Sequence, residues 1–206
     1  MEKKVLNTLG CTGGIGSGKT YVCTIFNKLG YPVYNSDERA KNLYDTDKTL
    51  LRELVKLLGN EIITDSKLNK KIMASKIFSD AKLLEEVENI VHPAVLRDFS
   101  KWKLELEQNN NDFSFVIFES AILLEKPIVK KIADRVLSIS APLDLRIERV
   151  MGRDKISKDL VMQRLSKQWS DNQRELMSDF IIFADSKHAL VPQVVKVIDQ
   201  MNNLKL

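Results

Sequence analysis

Apolar residues gather in two kinds of block along the chain. Five short runs rich in large or β-branched side chains read as strands: residues 5–11 (Val-Leu-Asn-Thr-Leu-Gly-Cys), 32–35, 113–118 (Phe-Ser-Phe-Val-Ile-Phe), 135–140 (Arg-Val-Leu-Ser-Ile-Ser) and 180–183 (Phe-Ile-Ile-Phe). Elsewhere apolar positions return every three or four residues, the spacing of one buried helix face. After the first strand, the stretch from Tyr21 to Leu29 carries Val22, Ile25, Phe26 and Leu29 on one face, and Gly30 past its end is a stop signal. Strands alternating with helices predict an α/β fold with a five-stranded parallel sheet flanked by helices.

The strands are unevenly spaced. Residues 38–112, between the second and third, carry helical periodicity and no convincing strand. Leu50, Leu51, Leu54, Val55, Leu57 and Leu58 form one stripe that ends at Gly59. Ser79-Asp80 can cap a second helix through Leu83, Leu84, Val87 and Ile90, and Pro93 opens a third with Val95, Leu96, Phe99 and Trp102. The polar run Asn109-Asn110-Asn111-Asp112 reads as a loop. An insertion of this size is too large for a connector and predicts a separate, substrate-facing helical lobe. After the fourth strand, Pro142 opens a helix with Arg146, Arg149 and Arg153. A break at Asp154-Lys155-Ile156 leads to a helix capped by Ser157, with Arg164, Lys167 and Gln168. The expected organisation is a single domain: a core of 1–37 and 113–206, the helical lobe 38–112, and the segment 142–170 as a lid.

Between the first strand and its helix stands Gly13-Gly14-Ile15-Gly16-Ser17-Gly18-Lys19-Thr20. It fits G-x-x-x-x-G-K-[ST], the phosphate-binding P-loop. Glycines let backbone N–H groups converge on phosphate oxygens where a Cβ would clash. Lys19 places an ammonium on the β/γ-phosphates, Thr20 offers a hydroxyl to Mg²⁺, and the following helix, entered at Tyr21, aims its positive end at the anion. Strand, loop and helix in this order are the context that the motif needs for a nucleoside triphosphate site. Arg149 and Arg153, four apart, share a helix face. Without the P-loop they read as a solvated basic face; with it, they read as a lid over transferring phosphates.

Composition narrows the picture only slightly. A chain of 206 residues with 44% hydrophobic content can bury a full core, and a net charge of +4 suits a polyanionic small molecule or simply a soluble surface. No long basic block or nucleic-acid module is present, so nucleic acid is not favoured. Cys11 and Cys23 flank the P-loop and read as small buried residues rather than a disulfide, as in a reducing compartment. No apolar stretch is long enough to span a membrane, and the strand and P-loop begin too early for a signal peptide, so the cytoplasm is expected. The oligomeric state is left open.

A kinase needs a group to orient or deprotonate the acceptor hydroxyl. Asp37, just past the second strand, stands where a parallel sheet places its active edge. An N-cap is its plain alternative, although Ser36 could supply that cap. Glu119, ending the third strand, can organise Mg²⁺, directly or through water, or can cap a backbone; Glu125 is a weaker candidate. His92 reads as a structural or substrate-contacting residue rather than a proton carrier, and His188 carries little signal.

Together these residues resemble the dephospho-CoA kinase family. The phosphate loop Thr12 to Lys19, the strand reaching Asp37, the His92-Pro93 pair and the Arg149-x-x-x-Arg153-Asp154 segment followed by Gln168 are similar to that family's motifs. The chain departs from the pattern at several places. Glu119-Ser120-Ala121-Ile122-Leu123-Leu124-Glu125 lacks the family's proline, Arg146 stands where Gln is frequent, and Tyr21 replaces a small hydroxyl residue. Ala184-Asp185-Ser186 replaces an Asn and Gly segment. The resemblance implies ATP and Mg²⁺ on the P-loop, dephospho-CoA in the helical lobe with Asp37 and His92 in contact with it, and Asp37 as base. It also implies a lid whose Arg149 and Arg153 act with Lys19 on the transferring phosphate. The product would be coenzyme A, in the last step of its synthesis. Another small-molecule P-loop kinase, of nucleoside, nucleotide or shikimate type, and a P-loop ATPase switch are the competing expectations.

Overall fold

The computed structural model describes residues 5–78, 80–109 and 112–204. It opens with β1 (Asn7–Thr12), α1 (Lys19–Lys28) and β2 (Val33–Asn35). The inserted stretch holds α2 (Ser36–Thr46), α3 (Lys48–Leu58), β3 (Ile63–Thr64), β4 (Lys67–Leu68), α4 (Lys70–Phe78) and α5 (Ala81–Glu107). The remainder is β5 (Phe115–Glu119), α6 (Pro127–Lys130), β6 (Arg135–Ser140), α7 (Leu143–Asp154), α8 (Lys158–Leu165), α9 (Asp171–Leu176), β7 (Phe180–Phe183) and α10 (Leu190–Asn202).

The main sheet runs β2-β5-β1-β6-β7 with every neighbouring pair parallel, as the alternation of strands and helices predicts. Two strands match their expected bounds and three shift by a residue or two. Pro32 has no N–H to give, so the ladder of β2 starts at Val33, although the Pro32 carbonyl still accepts from Ile117 N at 2.9 Å. The core of this sheet packs Leu9, Ile117, Leu137 and Ile182 with Phe26 of α1 and Val194 of α10. Helix α1 begins earlier than its apolar pattern suggests, directly after Gly18, so that Lys19 is its first residue. Leu29 is the C-cap residue and 44% exposed; Cys23 is buried on the inner face instead.

The inserted stretch departs from expectation twice. Asp65 and Ser66, at φ 49° and 63°, make the tight turn of a small β3–β4 hairpin. Pro93 does not open a helix; it lies inside α5. A proline there forgoes the bond to the Asn89 carbonyl and costs about 3 kcal/mol. The buried stripe Val87, Val91, Ala94, Val95 and Phe99 continues across it, so apolar burial keeps the helix running. Asp80 Oδ1 accepts from Leu83 N at 2.9 Å, capping α5. Ser79, the other half of the expected cap, and Asn110 and Asn111 of the expected loop lie outside the described residues.

Pro142 sits at the N-cap of α7, and Lys155, left-handed at φ 55°, ends that helix at the expected break. Ser157 caps α8 as expected, while α9 starts from a capping box made by Ser170 and Gln173. The chain divides into two compact units, Met1–Asn35 with Leu106–Leu206, and Ser36–Glu105. No helix among the described residues is long and apolar enough to cross a membrane.

Candidate active site

β1 delivers the chain into the P-loop, and α1 leaves from it. Gly16 has φ 77°, and a Cβ there would lie 2.5 Å from the Arg146 carbonyl oxygen and 2.9 Å from Val150 Cγ2. Both the conformation and the space require glycine. Ser17 N donates to Gly14 O at 3.1 Å, closing the turn. Lys19 Nζ arches back to the Gly13 carbonyl at 2.8 Å. Gly13, Gly14, Ile15 and Ser17 form the loop's frame, and the Ser17 hydroxyl is buried without a hydrogen-bond partner among the described residues.

A pocket of about 160 Å³ opens in front of this frame, lined by Gly16, Gly18, Lys19, Thr20 and Tyr21 and by Arg149, Val150 and Arg153 of α7. Residues more than a hundred positions apart thus meet around one cavity. Arg149 donates to the carbonyls of Gly16 and Ser17, both at 3.3 Å, and to Ala184 O at 2.9 Å. Arg153 is held by its neighbour Asp154, with Nε at 2.7 Å, and Arg164 binds the same carboxylate at 2.7 Å. The Arg153 guanidinium holds the Asp154 carboxyl below the usual carboxylate range.

Glu119 is 6% exposed. It accepts from the Thr20 hydroxyl at 2.7 Å and from Asn35 Nδ2 at 2.9 Å. Both donors are neutral and leave the charge of this buried carboxylate in place, so the site favours an incoming positive charge. No group of three or more His, Cys, Asp or Glu among the described residues could hold a metal. A cation here would complete its shell with phosphate oxygens and water, the habit of Mg²⁺. Glu125 is otherwise engaged: Oε1 accepts from Arg174 Nη2 at 2.8 Å and Trp169 N at 3.1 Å.

Asp37 and His92 belong to the second unit. α2 begins at Ser36, which puts Asp37 in its first turn rather than at the N-cap. Asp37 is exposed, and its carboxylate makes no hydrogen bond or ion pair among the described residues. His92 is half-buried in the middle of α5. His188 faces the Asp185 carboxylate at 3.0 Å, in a turn where Asp185 also accepts from the N–H groups of Lys187 and His188. Cys11 and Cys23 are both buried, and their hydrogen bond together with burial pushes the Cys23 thiol well up.

Asn35 and Asp171 are the polar partners that sequence reasoning missed. Asn35 is paired in register with Glu119 across β2 and β5, so the two side chains share one sheet face. Register between strands this far apart leaves no mark in the sequence. Asp171 forms an ion pair with Arg146, which is almost wholly buried. Nothing in the spacing of the two residues announces that pair.

The profile of the family described as dephospho-CoA kinase matches residues 7–189. A dephospho-CoA kinase from Bacteroides fragilis is 36% identical over 190 residues, covering 92% of this chain and 90% of the relative. One from Porphyromonas gingivalis is 38% identical over 193 residues, covering 93% of each. Among solved structures, TT1252 from Thermus thermophilus aligns with a TM-score of 0.82 at 26% identity, over 98% of this chain and 100% of that one.

Proposed function

The chain belongs to the dephospho-CoA kinase family, and from that premise we propose how its residues divide the transfer of the ATP γ-phosphoryl group to the 3′-hydroxyl of dephospho-CoA. The meeting of Lys19, Thr20, Arg149 and Arg153 around one pocket carries this reading.

The P-loop amides and Lys19 bind the β- and γ-phosphates of ATP. Thr20 and Glu119 would hold Mg²⁺, Glu119 directly or through water, and the ion would supply positive charge to offset that of the phosphates. Arg149 and Arg153 turn from their carbonyl and Asp154 partners toward the γ-phosphate, with the segment 142–170 as the lid over it. The covered site excludes water, so that the phosphoryl group goes to the acceptor rather than to hydrolysis.

The helical lobe, about 38–112, receives dephospho-CoA, with His92 as a contact. Asp37 orients the 3′-hydroxyl and accepts its proton. The hydroxyl oxygen forms a bond to the γ-phosphorus as the bond to the β–γ bridging oxygen breaks, and ADP leaves. A carboxylate with no competing ion pair suits that duty. The cytoplasm is the proposed setting.

Coupled measurement of ADP release tests this scheme. Release should depend on dephospho-CoA and be negligible with shikimate or nucleosides. Full-rate release without an acceptor would mark an ATPase switch instead.

A further inference from the structure

Both backbone polar groups of Ile15 are bound by side chains from far along the chain. Its N–H donates to Gln168 Oε1 at 2.9 Å, and its carbonyl accepts from Arg146 Nε at 2.9 Å. The Ile15 side chain packs against Ile147, Val150 and Val161. Arg146 is 3% exposed and pairs through Nη1 with Asp171. Its guanidinium also lies against Gly14, where any Cβ would overlap it.

We propose that Arg146 and Gln168 are positioning residues for ATP: together they fix the Ile15 peptide groups and so pre-set the phosphate-binding shape of the P-loop. The reason is the planarity of the peptide. With the Ile15 carbonyl drawn toward Arg146, the N–H of Gly16 in the same planar unit must point the opposite way. A loop free to turn that peptide would present a carbonyl oxygen, rather than a donor, to an incoming phosphate. Asp171 neutralises Arg146, so what Arg146 supplies is orientation more than charge. The cost of ordering the loop is met in the fold rather than on binding ATP.

This inference rests on the P-loop as the ATP site, so a Lys19→Met control is run beside it. Loss of ATP binding in that control supports the site, and normal binding would count against the site itself. With the site established, the test is steady-state kinetics of Arg146→Met and Gln168→Leu. In each variant KM for ATP should rise about tenfold, as a buried backbone group loses its partner. KM for dephospho-CoA should stay within about twofold and kcat at saturating ATP within about threefold. In the double variant, the rise in KM for ATP should be smaller than the product of the single rises, because both side chains hold one residue. If Arg146→Met does not fold, Gln168→Leu alone decides. An unchanged KM for ATP, or a fall in kcat with both KM values unchanged, overturns the proposal.

Discussion

Thr20 donates its hydroxyl proton to Glu119 Oε1 at 2.7 Å, joining the end of the P-loop to the C-terminal end of β5. Asn35 Nδ2 holds the second oxygen at 2.9 Å. Two strand ends and the first turn of α1 thereby converge on one carboxylate, the group proposed to hold Mg²⁺.

Glu119→Gln keeps the shape of this side chain and removes its charge. The Mg²⁺ concentration for half-maximal activity should rise about 10- to 100-fold, as for other residues that support a metal. A Mg²⁺ titration of kcat checks this, and an unmoved midpoint would remove Glu119 from the metal site. Glu125→Gln should leave the Mg²⁺ midpoint in place, because its carboxylate serves Arg174 and the Trp169 N–H.

Asp37→Ala should lower kcat about 10²-fold or more, the usual share of a general base, while ATP affinity stays within a few-fold. Single-turnover rates combined with ATP binding by calorimetry separate the two effects. Turnover within a few-fold of the parent enzyme would show that Asp37 is not the base.

Arg153 rests on Asp154 and, in the proposed scheme, exchanges that partner for a phosphate. Arg153→Ala should lower kcat about 10²-fold. Arg153→Lys should recover only part of that loss, because an ammonium lacks the planar fork. The pairing predicts a pH signature as well. The Asp154 carboxyl is depressed, chiefly by the hydrogen bond from Arg153. Its contribution to stability is therefore present above the unfolded pKa, about 3.9, and is lost as pH falls through the lower folded value. A ¹³C titration of Asp154 should show a midpoint below that of free Asp, moving up in Arg153→Ala.

Cys23 predicts an effect at the alkaline end. Its thiol is pushed up, first by the hydrogen bond with Cys11 and then by burial. The folded protein therefore holds this proton more tightly than the unfolded chain. The resulting stability is complete below the unfolded pKa of about 8.5 and declines as pH rises through the folded value. Urea unfolding at pH 8 and pH 10 should show a smaller alkaline loss in Cys23→Ala than in the parent.

Local chemistry made the P-loop, the five sheet strands and the Ser157 cap readable from the sequence. Each depends on residues within a few positions of one another. The continuity of α5 through Pro93 was not readable, because tertiary burial of Val91, Ala94, Val95 and Phe99 overrides the local signal. The β3–β4 hairpin carries no clear local signal because its turn uses Asp65 and Ser66 rather than glycine. Type and spacing single out Lys19, Thr20, Arg149 and Arg153, which line one pocket. They do not single out Asn35 on Glu119 or Asp171 on Arg146, since strand register and side-chain meetings across the fold are not written in spacing.

The most direct test is the identity of the product formed from ATP and dephospho-CoA. Phosphorus NMR and mass spectrometry should show coenzyme A phosphorylated at the 3′-hydroxyl and ADP in equal amounts. Phosphorylation at another position, or ADP accompanied by free phosphate with dephospho-CoA unchanged, would contradict the account.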